Sequence, residues 1–343
     1  MNQTQALALS PFEPLPWLQT HWQRLWQSRR DDRLGHALLL TGPAGIGKRH
    51  FADLLAAGLM CTRSANDGLP CGTCADCQLI AAGNHPDLVH LGPDPESKSG
   101  EIKVDAVREL CSRQSLTANR GPRAVLRIAP AEAMNLFAAN SLLKTLEEPT
   151  DSTLLILISE DPSRLPATVL SRCQRLTMLP PNTATAVAWL SERLDYPRRR
   201  DLALLLRLAH DAPLRVWAVA DDQWLELRSD SFRRFLAIAQ GREDPVTTAA
   251  AWQQQEAALV LEWLGAWISD LLRMGHDSQA VYLNNPDLRA ELATLTIKVS
   301  PIAAHRFLQQ ILQARALATS TINKQLLFES LLVRWARLTA RAR

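Results

Sequence analysis

This 343-residue sequence has almost no tyrosine: two, set against ten tryptophans. The indoles carry no specific chemistry by number alone, and most, including Trp263 and Trp267 one helical turn apart, read as packing residues. No apolar run approaches the length needed to cross a bilayer, which excludes a membrane-spanning helix and any membrane partner. The N-terminus shows no basic segment leading into an apolar core, so the expected location is cytoplasmic. Charge of one sign is also missing. A net charge of +3 is too small to argue for nucleic acid, and the run Arg198-Arg199-Arg200 reads as a solvated face. Internal repeats and low-complexity tracts are absent. What remains is an ordinary globular composition, 47% hydrophobic and 21% charged, in a chain long enough for two or three domains.

Two kinds of pattern divide the chain. From about 37 to 180, short apolar runs alternate with amphipathic stretches. Strands are expected at Ala37–Leu40, Leu88–Leu91, Ala124–Ile128, Leu154–Ile158 and Arg175–Met178, with helices between them at Val104–Leu116 and Ala131–Glu148. Such alternation predicts a parallel sheet flanked by helices. At Leu179-Pro180-Pro181-Asn182 the composition changes and strands cease. One helical group ends near Ala220, after a break at Asp211-Ala212-Pro213. A longer one starts near Trp224 and is interrupted at Asn284-Asn285-Pro286 and Ser300-Pro301. The N-terminal segment with Trp17, Trp22 and Trp26 reads as an amphipathic helix packed on the sheet.

The segment Thr41-Gly42-Pro43-Ala44-Gly45-Ile46-Gly47-Lys48-Arg49 joins the first strand to a helical pattern. This is the strand, glycine turn and helix order of a phosphate-binding loop. Gly42, Gly45 and Gly47 let backbone N–H groups crowd around phosphate oxygens, and Lys48 would reach the outer phosphates. The next position ordinarily supplies a hydroxyl to Mg²⁺, yet Arg49 has no acceptor atom to offer a cation. Two readings stay open: a loop kept as a strand-to-helix turn, or one still able to hold phosphate without hydrolysing it.

Four of six cysteines, Cys61, Cys71, Cys74 and Cys77, fall in the spacing C-x9-C-x2-C-x2-C. Thiolates so spaced can complete a tetrahedral Zn²⁺ shell, and Gly68, Pro70, Gly72 and Thr73 suit a knuckle. A reducing compartment argues against disulfides, and four unpaired surface thiols would be reactive. With no His, Asp or Glu completing an open site, the metal reads as structural. Cys111 and Cys173 read as isolated small residues.

The loop and knuckle together, followed by Asn140-Ser141-Leu142-Leu143-Lys144-Thr145-Leu146-Glu147-Glu148-Pro149, resemble the bacterial clamp-loader subunits of DNA polymerase III. Leu157-Ile158-Ser159-Glu160-Asp161-Pro162, Leu165-Pro166 and Ser171-Arg172-Cys173 follow at family spacing. Asp211-Ala212-Pro213-Leu214-Arg215 resembles the sensor-2 region, and Ile322-Asn323-Lys324-Gln325-Leu326-Leu327-Phe328 resembles the last collar helix.

The resemblance implies an α/β plus all-α chain. It would have an AAA+-type P-loop domain over 1–178 with a zinc knuckle at 61–77, a helical lid over 179–222 and a helical collar over 223–343. Arg172 would reach a neighbouring subunit's ATP site as an arginine finger, and Arg215 would stand at the sensor-2 position. Where the family's motor has an acidic pair after the third strand, this chain has Pro130-Ala131, and Glu132, one place late, is expected to face elsewhere. With Arg49, that removes both magnesium contacts and opposes ATP hydrolysis and tight Mg-nucleotide binding. The pattern is that of the family's delta-prime subunits. Such a stator would sit in a hetero-oligomeric ring with tau/gamma motor subunits and delta, near the sliding clamp and non-specifically held primer-template DNA. The alternatives are a tau/gamma-type motor, which positions 49, 130 and 131 oppose, and a zinc protein whose knuckle touches DNA. The second would need basic and aromatic residues around the cysteines, yet 61–80 holds only Arg63 and no aromatic. In the Ala131–Pro149 helix, Leu136, Ala139, Leu142, Leu143 and Leu146 form an apolar stripe read as core.

Overall fold

The structure, a computed structural model, describes residues 9–94, 100–114, 120, 123–150, 152–194, 201–219, 222–318 and 322–340. The Arg198-Arg199-Arg200 run and the end of the helix expected to reach Leu116 lie outside them. Two compact units are present: Met1–Arg193 with Ala212–Arg215, and Leu194–Asp211 with Val216–Arg343.

In the first unit, strands β1 (Ala37–Thr41), β2 (Leu88–Leu91), β3 (Ala124–Ile128), β4 (Thr153–Ser159) and β5 (Gln174–Thr177) form one sheet in the order β2-β3-β4-β1-β5. All pairings are parallel, with Leu39 opposite Leu157 on one side and Arg175 on the other. The central strands β1 and β4 are buried along their whole length. Their unbroken apolar runs therefore mark strands covered on both faces rather than alternating ones. Helices α1 (Gln19–Arg30), α2 (Lys48–Met60), α3 (Ala75–Ala81), α4 (Val104–Gln114), α5 (Leu136–Ser141), α6 (Leu143–Glu147), α7 (Ala167–Leu170) and α8 (Thr183–Arg193) complete the unit. This is the expected AAA+-type parallel-sheet architecture, with the glycine loop leaving the carboxyl end of a central strand, where open α/β sheets place their ligands.

The expected single helix over Ala131–Glu148 is broken. A 3₁₀ turn at Ala131–Ala133 precedes extended backbone at Asn135, whose side chain caps α5 by accepting the Ala138 N–H. Met134 is pinned by a parallel bridge to Ile102, so helix cannot run through it. The apolar stripe is corrected accordingly: Ala139, Leu142 and Leu146 are buried, but Leu136 is 63% exposed. α1 buries Trp22, Leu25 and Trp26. Trp22 stacks on Trp26 at 5.8 Å and meets Phe51 of α2 edge-on.

In the second unit, α9 (Leu202–Leu208) precedes α10 (Pro213–Val219), whose first turn belongs to the first unit. Then follow α11 (Asp222–Ala239), α12 (Pro245–Trp252), α13 (Ala257–His276), α14 (Arg289–Thr296), α15 (Pro301–Leu317) and α16 (Lys324–Ala340). Among the described residues no strand follows Thr177. Phe235, Trp335 and Phe307 form a stacked column and Trp267 packs beside Phe235, which places two of the ten tryptophans. Asp270, fully buried, accepts N–H groups from the backbone and side chains of both Asn284 and Asn285. A buried carboxylate is tolerated only when satisfied in this way, and here it fixes the turn ahead of Pro286.

Candidate functional site

At the carboxyl end of β1 the chain enters the glycine loop. Gly42, Gly45 and Gly47 all have positive φ, and α2 begins at Lys48. At Gly47, with φ of 96°, a Cβ would lie 2.2 Å from Leu15 Cδ1, so the N-terminal segment packs directly on the loop. Trp17 Nε1 donates to the Ile46 carbonyl at 2.8 Å, and the Leu214 N–H at the start of α10 donates to the Gly45 carbonyl at 3.1 Å. Arg215 follows on α10, its Cβ close enough to Gly45 to exclude any side chain there. Lys48 is only 5% exposed. Its ammonium donates to the carbonyls of Gly42 at 2.8 Å and Pro43 at 2.6 Å and lies 3.8 Å from Glu160. Burial pulls its pKa below the ordinary lysine value, against the opposing charges of Glu160 and Glu132. The remaining cleft, about 330 Å³, is lined by Lys48, Arg49, His50, Pro130 and Glu160 among others.

Arg49 is exposed at the rim, and no carboxylate stands at 130 or 131. Glu132 departs from expectation. One of its oxygens accepts the N–H groups of Glu160 at 2.8 Å and Asp161 at 3.3 Å, beyond the end of β4, and its charge favours protonated Lys48. The carboxylate thus serves the loop's lysine and the turn after β4 rather than facing away. Leu15 went unmarked in the sequence, Trp17 reads there as packing on the sheet, and Glu160 and Leu214 stand only as parts of longer motifs; none was expected at the loop. They lie 29 to more than 100 residues from what they touch, and no spacing rule connects them.

The four cysteines converge as the spacing requires. Their Sγ atoms all lie within 4.8 Å of one another, with Cys61 and Cys74 at 3.8 Å. A tetrahedron with Zn–S bonds of about 2.3 Å has edges of about 3.8 Å, so the set fits one such ion. Backbone N–H groups of Arg63 and Cys71 point at Cys61 Sγ, that of Cys74 at Cys71 Sγ, and that of Cys77 at Cys74 Sγ. These donors favour thiolates, the form a metal needs. Hydrogen bonds from Thr73 hold Cys71 down to about 5, while burial pushes Cys77 up. The knuckle is tied to α1: Trp22 Nε1 donates to the Asp67 carbonyl at 2.9 Å, and Gly68 lies flat on the Trp26 ring, where a Cβ would come within 2.0 Å. Cys173 lies apart against the sheet core, pushed up to about 11 by burial, and Cys111 is likewise raised.

Arg172 is not brought to the loop. It follows α7 on the turn into β5, half-exposed. Its guanidinium donates to the Thr168 carbonyl at 3.0 Å and pairs with Glu147 of α6 at 2.7 Å. The geometry thus separates three features: a phosphate loop whose lysine is tied to its own carbonyls, a closed thiolate knuckle and an outward arginine.

Comparison with known proteins agrees. The family model described as DNA polymerase III, delta subunit, matches residues 17–182, and the one described as its C-terminal part matches 222–337. The chain is 37% identical to DNA polymerase III subunit delta' of Pseudomonas aeruginosa over 94% of its own length and 97% of that protein. It is 32% identical to the Escherichia coli subunit delta' over 93% and 94% respectively. The E. coli subunit tau shares 38% identity over only 41% of this chain and 21% of its own. The chain belongs to the delta-prime subunit family of bacterial DNA polymerase III, whose clamp-loader motifs it carries.

Proposed function

We propose that this chain is a non-hydrolysing stator of the DNA polymerase III clamp loader, acting in the cytoplasm. It would sit in a ring with tau/gamma motor subunits and delta, give Arg172 to a neighbour's ATP site, and help present the sliding clamp to primer-template DNA held without base specificity. An AAA+-type domain over 1–178, a lid over 179–222 and a collar over 223–343 would divide the work. The observation that carries this reading is the contrast within one domain. Positions 49, 130 and 131 offer neither expected magnesium contact and the loop's lysine is already bonded to Gly42 and Pro43, whereas Arg172 stands at the surface in Ser171-Arg172-Cys173. A guanidinium offered across an interface stabilises charge on a transferring phosphoryl group. The Glu147 partner, at 51% exposure, holds it by a surface ion pair worth about 0–1 kcal/mol, so release toward a phosphate costs little.

Cys61, Cys71, Cys74 and Cys77 would hold Zn²⁺ in a closed set, contributing folding energy and no catalysis. Arg215, at the loop side of α10, supports packing against Gly45 and leaves the sensor-2 role to a site that binds nucleotide.

The test is DNA- and clamp-stimulated ATPase of the reconstituted loader, with the isolated chain as blank. A silent blank and a marked loss with Arg172→Ala are expected. Turnover by the isolated chain would make it a motor. A silent blank with full activity of the variant would remove Arg172 from the mechanism.

A further inference from the structure

Arg172 stands on a platform built from three separate stretches of chain. Its backbone follows α7, and its Nη1 donates to the Thr168 carbonyl at 3.0 Å and reaches Ser171 Oγ at 3.4 Å. The side chain thereby satisfies a carbonyl at the end of the helix it follows. Its Nη2 lies 2.7 Å from Glu147, the last residue of α6. Nε has no partner among the described residues. Part of the guanidinium is thus committed to its own chain, and the Nε donor is left for an incoming oxyanion.

The position of Glu147 is not owed to its helix. A carboxylate in the last turn meets the unpaired carbonyls, where negative charge is unfavourable. Both ends of the ion pair are also fastened to the core. Leu146, next to Glu147, and Val169, three residues before Arg172, are buried in one apolar cluster. His36 Nε2 donates to the Leu146 carbonyl at 3.1 Å, and the adjacent Gly35 N–H donates to Gln174 Oε1 at 3.2 Å. Two consecutive residues ahead of β1 therefore grip both flanks of Arg172: the helix that carries its carboxylate and the strand that its turn enters. Exposed ion pairs contribute little to stability, so stability does not explain this bracing.

We propose that Glu147 is a positioning residue for Arg172: its carboxylate, set by the His36 hydrogen bond to α6, orients the guanidinium so that Nε meets the charge developing on the neighbouring subunit's transferring phosphoryl group. The proposal rests on the arginine-finger reading and deepens it. Glu147 touches no substrate and acts through Arg172 alone. Misplacing a contact made in the transition state by about 1 Å can cost on the order of 10²-fold in rate. Thr168 still holds the arginine when Glu147 is removed, so a smaller loss is expected.

The experiment measures DNA- and clamp-stimulated ATPase of the reconstituted loader carrying Glu147→Ala, Glu147→Gln, Arg172→Ala, or Glu147→Ala together with Arg172→Ala. Each variant is checked for entry into the ring and for an unchanged melting curve. Glu147→Ala should lower kcat about fivefold and leave KM for ATP unchanged, because the neighbour binds the nucleotide. Glu147→Gln keeps an acceptor oxygen at the same reach and should retain about half of the wild-type rate or more. The double variant should be no slower than Arg172→Ala, since nothing is left to orient once the arginine is gone. His36→Ala should reproduce the Glu147→Ala loss, and His36→Gln, which offers a donor at similar reach, should not. Unchanged kcat with Glu147→Ala, while Arg172→Ala is slow, overturns the positioning role and leaves the finger intact. A faster Glu147→Ala loader makes the carboxylate a competitor of the phosphate and overturns it as well. A double variant slower than Arg172→Ala by the full Glu147→Ala factor shows that Glu147 acts elsewhere, and the proposal is wrong. Full activity of Arg172→Ala removes the finger and this proposal with it.

Discussion

The phosphate loop and the Arg172 turn stand in one domain and dispose of their charge in opposite ways. Lys48 is turned inward: nearly all its surface is covered, two loop carbonyls accept its hydrogen bonds, and Leu15 and Trp17 pack against the loop beside it. Arg172 is turned outward, held by one carbonyl and one solvent-exposed carboxylate. A charged side chain that is itself buried and bonded to its own loop acts on its own fold. One held weakly at the surface is available to another molecule. The contrast separates what a decayed site keeps for architecture from what it keeps for chemistry.

The sharpest way to break that comparison is Arg172→Ala. Loader ATPase should fall on the order of 10³-fold, while the chain's own stability moves by less than about 0.5 kcal/mol in a urea melt. A large loss of stability with normal ATPase would reverse the assignment of inward and outward roles. Next comes the metal. Chelation, or Cys77→Ser, should release one zinc per chain and cost on the order of several kcal/mol, because the ligand set exists only in the folded knuckle. The loss should spread to α1 through Trp22 and Gly68, seen as increased amide exchange there. Lys48→Met should come third. It strips the Gly42 and Pro43 carbonyls of their donor and should lower stability by about 1–3 kcal/mol, with no loss of stimulated loader ATPase. A fall in ATPase equal to that of the arginine variant would mean that the loop still serves nucleotide.

The smallest effect concerns pH. His90, on the edge strand β2 and still exposed at its surface, titrates below the ordinary histidine value, chiefly through partial desolvation and also through the charge of Arg127. Its neutral form is favoured in the fold, so the unfolded chain binds the proton first. Stability contributed by the neutral ring is present above the unfolded value of about 6.5 and declines as pH falls from there to the lower folded value. His90→Asn should flatten that part of a melting-temperature profile.

How far the sequence spoke depends on how far apart the interacting residues lie. Ala37–Leu40 and Leu154–Ile158 were legible as strands because burial on both faces leaves an unbroken apolar run. The knuckle was legible because its ligands are near neighbours with fixed chemistry, and the defects at 49, 130 and 131 were visible against a spacing the reaction demands. The break at Asn135 was local too, yet a cap and a bridge to Ile102 overrode good helical periodicity. Glu132 was misplaced because its donors, Glu160 and Asp161, arrive after β4, which neighbours β3 in the sheet but is far from it in sequence. The packing of Trp17 and the break at Asn284-Asn285-Pro286 were legible, but not that Leu15 and Trp17 reach the glycine loop or that Asp270 holds both asparagines. Each depends on where the fold delivers a partner.

The N-terminal segment that seals the loop has a consequence for the order of synthesis. Trp17 meets Trp189 edge-on at 5.3 Å, and Glu13 pairs with Arg193, 180 residues further along. At bacterial elongation rates that separation is on the order of 10–40 s of translation. Through that interval Glu13 and Trp17 have the glycine loop to pack on but no α8. A nascent chain therefore leaves Trp17 without its Trp189 contact until the end of α8 emerges. A chaperone meeting this protein during translation would find its target there, ahead of the sheet rather than after it.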